Sequence, residues 1–395
     1  MAVQRRIRGG QVRWVARYRG PDGKERSKTF DAKKAAKDWV NDREKDVRQG
    51  DWVDPDLGRI TVGEVARRWE NLAGKDGTRA NRHYLTQQLG RLEDTPVALL
   101  RTPHINEWVS ELTAGRPWAD NEPVKVSTIR TLCAQLSGAL HLAVEEGMIA
   151  KTPRIPRPPK PPQSISRSEL VTVGEVRALA EAARTGISGT RPGRGVRPSP
   201  TLARMILAAA GTGLRPGELA GLRVRSVDFL RREISVVEQA GILATDDRRP
   251  LKTRASRRLV PFGNSVLEVM SEELRENPVD TSNESVFRSA RGLLWTSGTI
   301  SNTFLRLREH LGLDEHVTFK SLRHFYASTL IASGASVTMV AEYLGHASPA
   351  ITLEVYAHLW PGDDDRARQA VDAVALLSDD GAGPVRDRAG RLALA

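Results

Sequence analysis

A chain of 395 residues exceeds one ordinary hydrophobic core and suits two or three domains. Its 60 Lys+Arg against 48 Asp+Glu leave a net charge of +12, which implies a polyanionic partner such as nucleic acid. No apolar run approaches the roughly 18 residues of a membrane-spanning helix, and the start Met-Ala-Val-Gln-Arg-Arg lacks a signal-peptide core, so a cytoplasmic protein without a membrane partner is expected. The single cysteine, Cys133, excludes an intramolecular disulfide and a cysteine-rich zinc site, and its apolar helical setting reads as a buried, inert thiol.

Residues 1–55 read as a small basic module. Val12, Trp14, Ala16 and Tyr18 share one face of a strand and Arg13, Val15 and Arg17 the other. Gly20-Pro21-Asp22-Gly23 is turn chemistry, and Lys24 to Phe30 returns as a second strand. Asp31 would cap a helix with Ala32, Ala35, Ala36, Trp39, Val40 and Val47 at helical spacing, ending at Gly50. The outer face then carries Arg13 and Arg17, with Arg19, Arg26 and Lys28 near the turn or on the second strand. Such a ribbon fits a DNA major groove, a solvated basic sheet being the plainer alternative.

Residues 60–150 read as four helices. Thr61-Val62-Gly63-Glu64 is a capping box opening the first, through Val65, Trp69 and Leu72. A polar helix near Arg79 to Leu92 carries Arg79, Arg82 and Arg91. Thr102-Pro103 opens a third along Ile105, Trp108, Val109 and Leu112, and Ser127 starts the longest, stopped by Gly147. Lys151 to Arg167 then holds six prolines and five basic residues with no acid. Proline keeps such a linker extended, so Lys151, Arg154, Arg157 and Lys160 could span a duplex and track its phosphates rather than pack; a plain spacer is the alternative.

A second capping box, Thr172-Val173-Gly174-Glu175, opens the last domain, expected over 168–377. Residues 184–200 are rich in Gly, Pro and Arg and read as a mobile loop. Leu202 to Ala210 reads as an apolar helix ending at Gly211-Thr212-Gly213-Leu214-Arg215, while Ile234–Val237 and Arg257–Pro261 read as strands flanking Arg248 to Thr253. Helix is expected from there to about Leu377, and a disordered tail over 378–395. Asp363-Asp364-Asp365 is a solvated acidic turn rather than a metal site, so no metal and no cofactor are expected.

Singly, the polar residues of this domain are weak signals: Arg215 suits a helix cap, Lys252 a solvated turn, His346 a helix terminus and Tyr356 a half-buried aromatic. Together they are specific. Thr-Gly-Leu-Arg-Pro-Gly-Glu-Leu (212–219), Leu-Lys-Thr (251–253), Lys-Ser-Leu-Arg-His (320–324), Leu-Gly-His (344–346) and Val-Tyr-Ala-His-Leu (355–359) resemble, in order, the motifs of tyrosine recombinases of the phage integrase family. Arg323 to His346 is 23 residues and His346 to Tyr356 is 10, both within that family's usual spacing. The resemblance implies a multidomain fold, mainly α with small β-sheets. Its parts would be a ββ(β)α arm-type DNA-binding domain (1–55), a four-helix core-binding domain (60–150), a linker (151–167) and a mixed α/β, mostly helical catalytic domain (168–377).

By that resemblance Arg215 and Arg323 would grip the scissile phosphate bidentately, as fixed guanidiniums do well. Tyr356 would attack it, helped to lose its proton by the cations around it, and His346 would donate to the phosphate. Lys252 would protonate the leaving 5′ oxygen. Lys320 stands where many relatives have histidine; with an ordinary pKa of about 10.4 it is a poorer base, and the sequence leaves it either that role or phosphate ligation alone. Tyr326 and Tyr343 suit core packing, and His324 is not the same position as Lys320. The implied partners are double-stranded DNA with core-type and arm-type attachment sites, a homotetramer on DNA, a host bending protein and an excision factor, at the nucleoid of a bacterial host. Other classes remain compatible with the motifs: a chromosome-dimer resolvase, a topoisomerase-like enzyme and a non-catalytic DNA-binding regulator.

Overall fold

The structure, a computed structural model, describes residues 2–8, 11–49, 52–160, 164–188, 195–241, 248–251, 253–289, 292–360 and 368. It divides into two compact units, Met1–Pro162 and Gln163–Ala395.

The first unit opens with an antiparallel sheet in the order β1 (Ala2–Arg8), β2 (Gln11–Arg19), β3 (Glu25–Phe30). Helix α1 (Lys33–Gln49) packs on it through Ala16, Ala36 and Val40, with Trp39 edge-on to Tyr18 at 5.3 Å. Strand β1 was not among the expected elements of this stretch; its Gln-Arg-Arg sequence has no apolar alternation to mark it. Val12, assigned to the packed face, is exposed, while Val15 opposite is buried. Helix α1 starts at Lys33, two residues after Asp31, whose carboxylate takes the Arg13 guanidinium.

Four helices follow: α2 (Val62–Asn71), α3 (Asp76–Gln87), α4 (Thr102–Ala114) and α5 (Val126–Glu145). The Thr61–Glu64 capping box forms in both directions. Helix α3 lies earlier than the periodicity suggests and stops at Gln87, since Gly90 takes a left-handed φ of 51° beside the Trp118 ring. These helices bury Leu85, Trp108, Leu132 and Leu136 in a core of their own. Cys133 is 4% exposed there, and burial pushes its thiol up to about 11. The following segment packs as well as extending: Ile155 lies against that core, and Arg130 donates to the Pro158 carbonyl at 2.7 Å.

The second unit is built around α7 (Pro200–Thr212), which packs against α6 (Val173–Thr185), α9 (Asn264–Glu276) and α11 (Phe319–Ala332). Burial nearly all round α7 explains its continuous apolar run. Between α7 and α9 lie α8 (Pro216–Ala220) and two small sheets. One pairs β4 (Val227–Asp228), β5 (Glu233–Val236) and β8 (Arg258–Pro261). The other is an unanticipated hairpin of β6 (Glu238–Ala240) and β7 (Arg248–Pro250). The 184–200 stretch closes on itself at its described ends, where Ile187 and Val196 exchange backbone hydrogen bonds. Helix is not continuous after β8. The described residues of 277–289 and 292–296 run as turns and isolated bridges before α10 (Ser297–His310), α11, α12 (Val337–Leu344) and α13 (Pro349–Tyr356). Lys252, Asp363–Asp365 and 369–395 lie outside the described residues.

Candidate active site

Helix α7 ends on Gly213, left-handed at φ 64°, where a Cβ would stand 2.5 Å from the Tyr326 ring. The chain turns there and restarts as α8 with Arg215 as its N-cap. Glu218, one turn in, accepts the Arg215 backbone N–H at 3.0 Å and its guanidinium at 2.7 Å. The same carboxylate, 3% exposed, accepts Arg258 from β8 at 2.9 and 3.2 Å. Burial pushes the Glu218 carboxyl upward, but the Arg258 hydrogen bonds and charge, with Arg215, outweigh it and hold it at about 2. Glu218 thus fixes Arg215, whose side chain is 42% exposed, and neutralises Arg258.

Helix α11 presents Lys320, Arg323 and His324. Arg323 is 5% exposed and donates to the carbonyls of Gly213, at 3.0 Å, and Leu344. Two of its five N–H groups are therefore engaged before any phosphate arrives, which narrows the bidentate grip expected of it. Burial, then the Arg215 charge, lowers its guanidinium to about 9, still protonated at neutral pH. Desolvation, then Arg323 and Arg215, pulls the Lys320 ammonium below the lysine range.

Helix α12 ends on left-handed Gly345, φ 64°, whose absent Cβ leaves room for Arg258 at 3.1 Å. His346 follows, half-buried, with Nδ1 2.8 Å from Oγ1 of the fully buried Thr352. Desolvation, then the charges of Arg323, Arg215, Arg258 and Lys320, lowers its ring to about 4, so it is neutral at pH 7. Tyr356 closes α13 at 1% exposure, its hydroxyl 2.6 Å from Nδ1 of His324. Burial pushes the phenol up to about 12 against the pull of Arg323. The cationic surroundings therefore do not ionise it in this state; burial wins.

The structure brings Arg215, Lys320, Arg323 and His346 into one electrostatic neighbourhood, with Tyr356 within the field of Arg323. It also adds four residues that no role was read for: Glu218, Arg258, His324 and Thr352. Glu218 had a signal, three residues after Arg215 at the third helical position, and Arg258 another, a basic residue inside an apolar strand. Tyr326 is buried against Gly213, as its packing role requires.

In the first unit the basic residues divide. Arg13 meets Asp31, Arg17 meets Glu25 at 2.9 Å, and Lys28 lies 5.4 Å from the Phe30 ring centre. Arg26 is tied to Asp22 and Asp54 and stacked on Trp52, and Arg82 donates to the Trp69 carbonyl from 3.9 Å above the Trp69 ring. Those two are structural. Arg19, Arg79, Lys151, Arg154, Arg157 and Lys160 are exposed. No helix among the described residues is long and apolar enough to cross a membrane.

Comparison with known proteins shows the family. Residues 173–361 match the phage integrase family and residues 5–49 the phage integrase N-terminal domain. A tyrosine recombinase XerC-like protein of Caldanaerobacter subterraneus is 25% identical over 366 residues, covering 84% of this chain and 86% of its own. A protein described as a prophage phiRv2 integrase of Mycobacterium tuberculosis is 24% identical over 367 residues, covering 89% and 90%. Among solved structures, the Tn1549 transposon integrase with a circular intermediate DNA superposes with a TM-score of 0.59 at 18% identity, over 79% of this chain and 99% of its own. A lambda integrase tetramer bound to a Holliday junction gives 0.51 at 21% identity, over 87% and 96%. The chain belongs to the phage integrase family of tyrosine recombinases, enzymes that carry out site-specific DNA recombination.

Proposed function

We propose that Tyr356 is the nucleophile with which this recombinase cuts and rejoins DNA, through a covalent 3′-phosphotyrosyl link, to integrate and excise a prophage or similar mobile element. One observation carries the reading: four groups suited to a phosphate, Arg215, Lys320, Arg323 and His346, share an electrostatic neighbourhood with the buried Tyr356 phenol. Arg215 and Arg323 would stabilise the charge that grows on the non-bridging oxygens, Lys320 and His346 would donate to them, and Lys252 would protonate the departing 5′ oxygen. The phosphotyrosine keeps the bond energy, so a second 5′ hydroxyl can reseal the strand without ATP.

In the same reading residues 1–55 hold an arm-type site, 60–150 and 168–377 hold the core site, and 151–167 joins them. Arg13, Arg17, Arg19, Lys28, Arg79, Lys151, Arg154, Arg157 and Lys160 would contact phosphates. The protein would act as a homotetramer on double-stranded DNA at the bacterial nucleoid, with a host bending protein and an excision factor. The N-terminal match over 5–49 supports an integrase over a chromosome-dimer resolvase.

The test is a nicked attachment-site duplex that traps the covalent adduct. Tyr356→Phe should lower adduct formation by more than about 10³-fold, and an adduct that persists in that variant would remove the assigned nucleophile. Two labelled duplexes incubated together should yield exchanged products; relaxation without exchange would favour a topoisomerase-like enzyme.

A further inference from the structure

The Tyr356 hydroxyl meets a side chain to which the family resemblance gives no role: Nδ1 of His324, 2.6 Å away. We propose that His324 is the base that takes the phenolic proton when Tyr356 attacks the scissile phosphate. The inference rests on Tyr356 being the nucleophile.

Three observations support it. First, the contact is with the reacting oxygen itself, and Tyr356 is 1% exposed, so water competes poorly for that proton. Second, Lys320 is the alternative base, but its side chain is exposed, whereas His324 is half-buried against the hydroxyl itself. Lys320 lies one helical turn before His324, where its charge acts on the imidazole. Third, burial, then Lys320, Arg323 and His346, keeps the His324 ring at about 3, hence neutral, so the tautomer protonated on Nε2 offers Nδ1 as acceptor. Such a ring is a weak base at rest. A phosphate entering the cluster offsets the cations that depress it, and the phenol becomes strongly acidic as its oxygen bonds to phosphorus. Proton transfer is thereby tied to the attack.

The step balances. The Tyr356 O–P bond forms as the P–O5′ bond breaks; the phenolic proton passes to Nδ1, and the 5′ oxygen takes a proton from the general acid, assigned above to Lys252. Rejoining runs the same transfers backwards, His324 returning its proton to the tyrosine.

The experiment measures single-turnover adduct formation on two nicked duplexes, one ordinary and one with sulfur replacing the bridging 5′ oxygen, whose thiolate leaves without a proton. His324→Gln should bind the site normally yet form adduct about 10²–10⁴-fold more slowly on both duplexes. Imidazole added to His324→Ala should restore part of the rate. A His324→Gln rate within about threefold of native, or full rescue by sulfur, would overturn the assignment. Where His324→Gln loses site binding, imidazole with His324→Ala decides, and no restoration overturns it. Tyr356→Phe run alongside separates the two readings. Adduct persisting there rejects the nucleophile, whereas adduct lost there with native-like His324→Gln rejects only the base.

Discussion

The basic sheet of the first unit and the cationic cluster of the second treat the same residue type in opposite ways. On the sheet, Arg13 and Arg17 keep side chains 43% and 34% exposed and each meets one carboxylate, Asp31 and Glu25. In the second unit Arg215, Arg258, Lys320 and Arg323 crowd together with Glu218 as the carboxylate that engages Arg215 and Arg258. Pairs in water contribute little and can exchange a carboxylate for a phosphate at small cost. A partly desolvated surplus of positive charge cannot be screened so easily, and an anion is what relieves it. One region is suited to tracking a backbone and the other to holding a single phosphate.

The contrast can be broken most sharply at Glu218. Glu218→Gln leaves Arg258, whose side chain is 2% exposed, without its counter-charge, and should cost about 3–5 kcal/mol in denaturant unfolding. A loss under about 1 kcal/mol would show that the cluster is compensated elsewhere. Acidification tests the two imidazoles. His324 and His346 are held near 3 and 4 in the fold and return to about 6.5 when unfolded, so the unfolded chain binds more protons below that pH. Their contribution is fully present above about pH 6.5 and is lost as the pH falls through about 4 for His346 and about 3 for His324. Unfolding midpoints that stay level from pH 7 to about 4.5 would contradict these buried neutral rings. Thr352→Val removes the partner of His346 Nδ1 and should slow adduct formation by up to about tenfold, the worth of one hydrogen bond of about 0.5–1.5 kcal/mol. An unchanged rate would mean the ring is oriented by packing alone. Least of all, Arg13→Ala or Arg17→Ala should shift stability by under about 0.5 kcal/mol while lowering the salt slope of arm-site binding by about 1.

What could be read from the sequence follows from how local each determinant is. Thr61 and Thr172 announced their helices because a capping box is contained in four residues, and both boxes form. The order Arg215, Arg323, His346, Tyr356 was legible because each sits in a motif shaped by its own turn, as at Gly213 and Gly345. Strand β1, the β6–β7 hairpin and the irregular described residues of 277–296 were not: both strand pairs lie close in the chain, but β1, β6 and β7 are polar, without an apolar alternation, and the bridge at Ser285 reaches back to Arg223. The same applies to the site. The link from Arg258 to Glu218 spans 40 residues and that from His324 to Tyr356 spans 32, so neither leaves a periodic trace. Burial of Tyr356 was equally hidden, and in the resting fold it outweighs the pull of Arg323 on the phenol.

Helix α13 is only eight residues long, yet it carries both Thr352 and Tyr356, one turn apart. The anchor of one imidazole and the Tyr356 hydroxyl therefore move as a single body. Whatever tips that short rod re-aims both in one stroke, so a half-armed centre, with its histidine aligned and its tyrosine astray, is hard for this architecture to adopt.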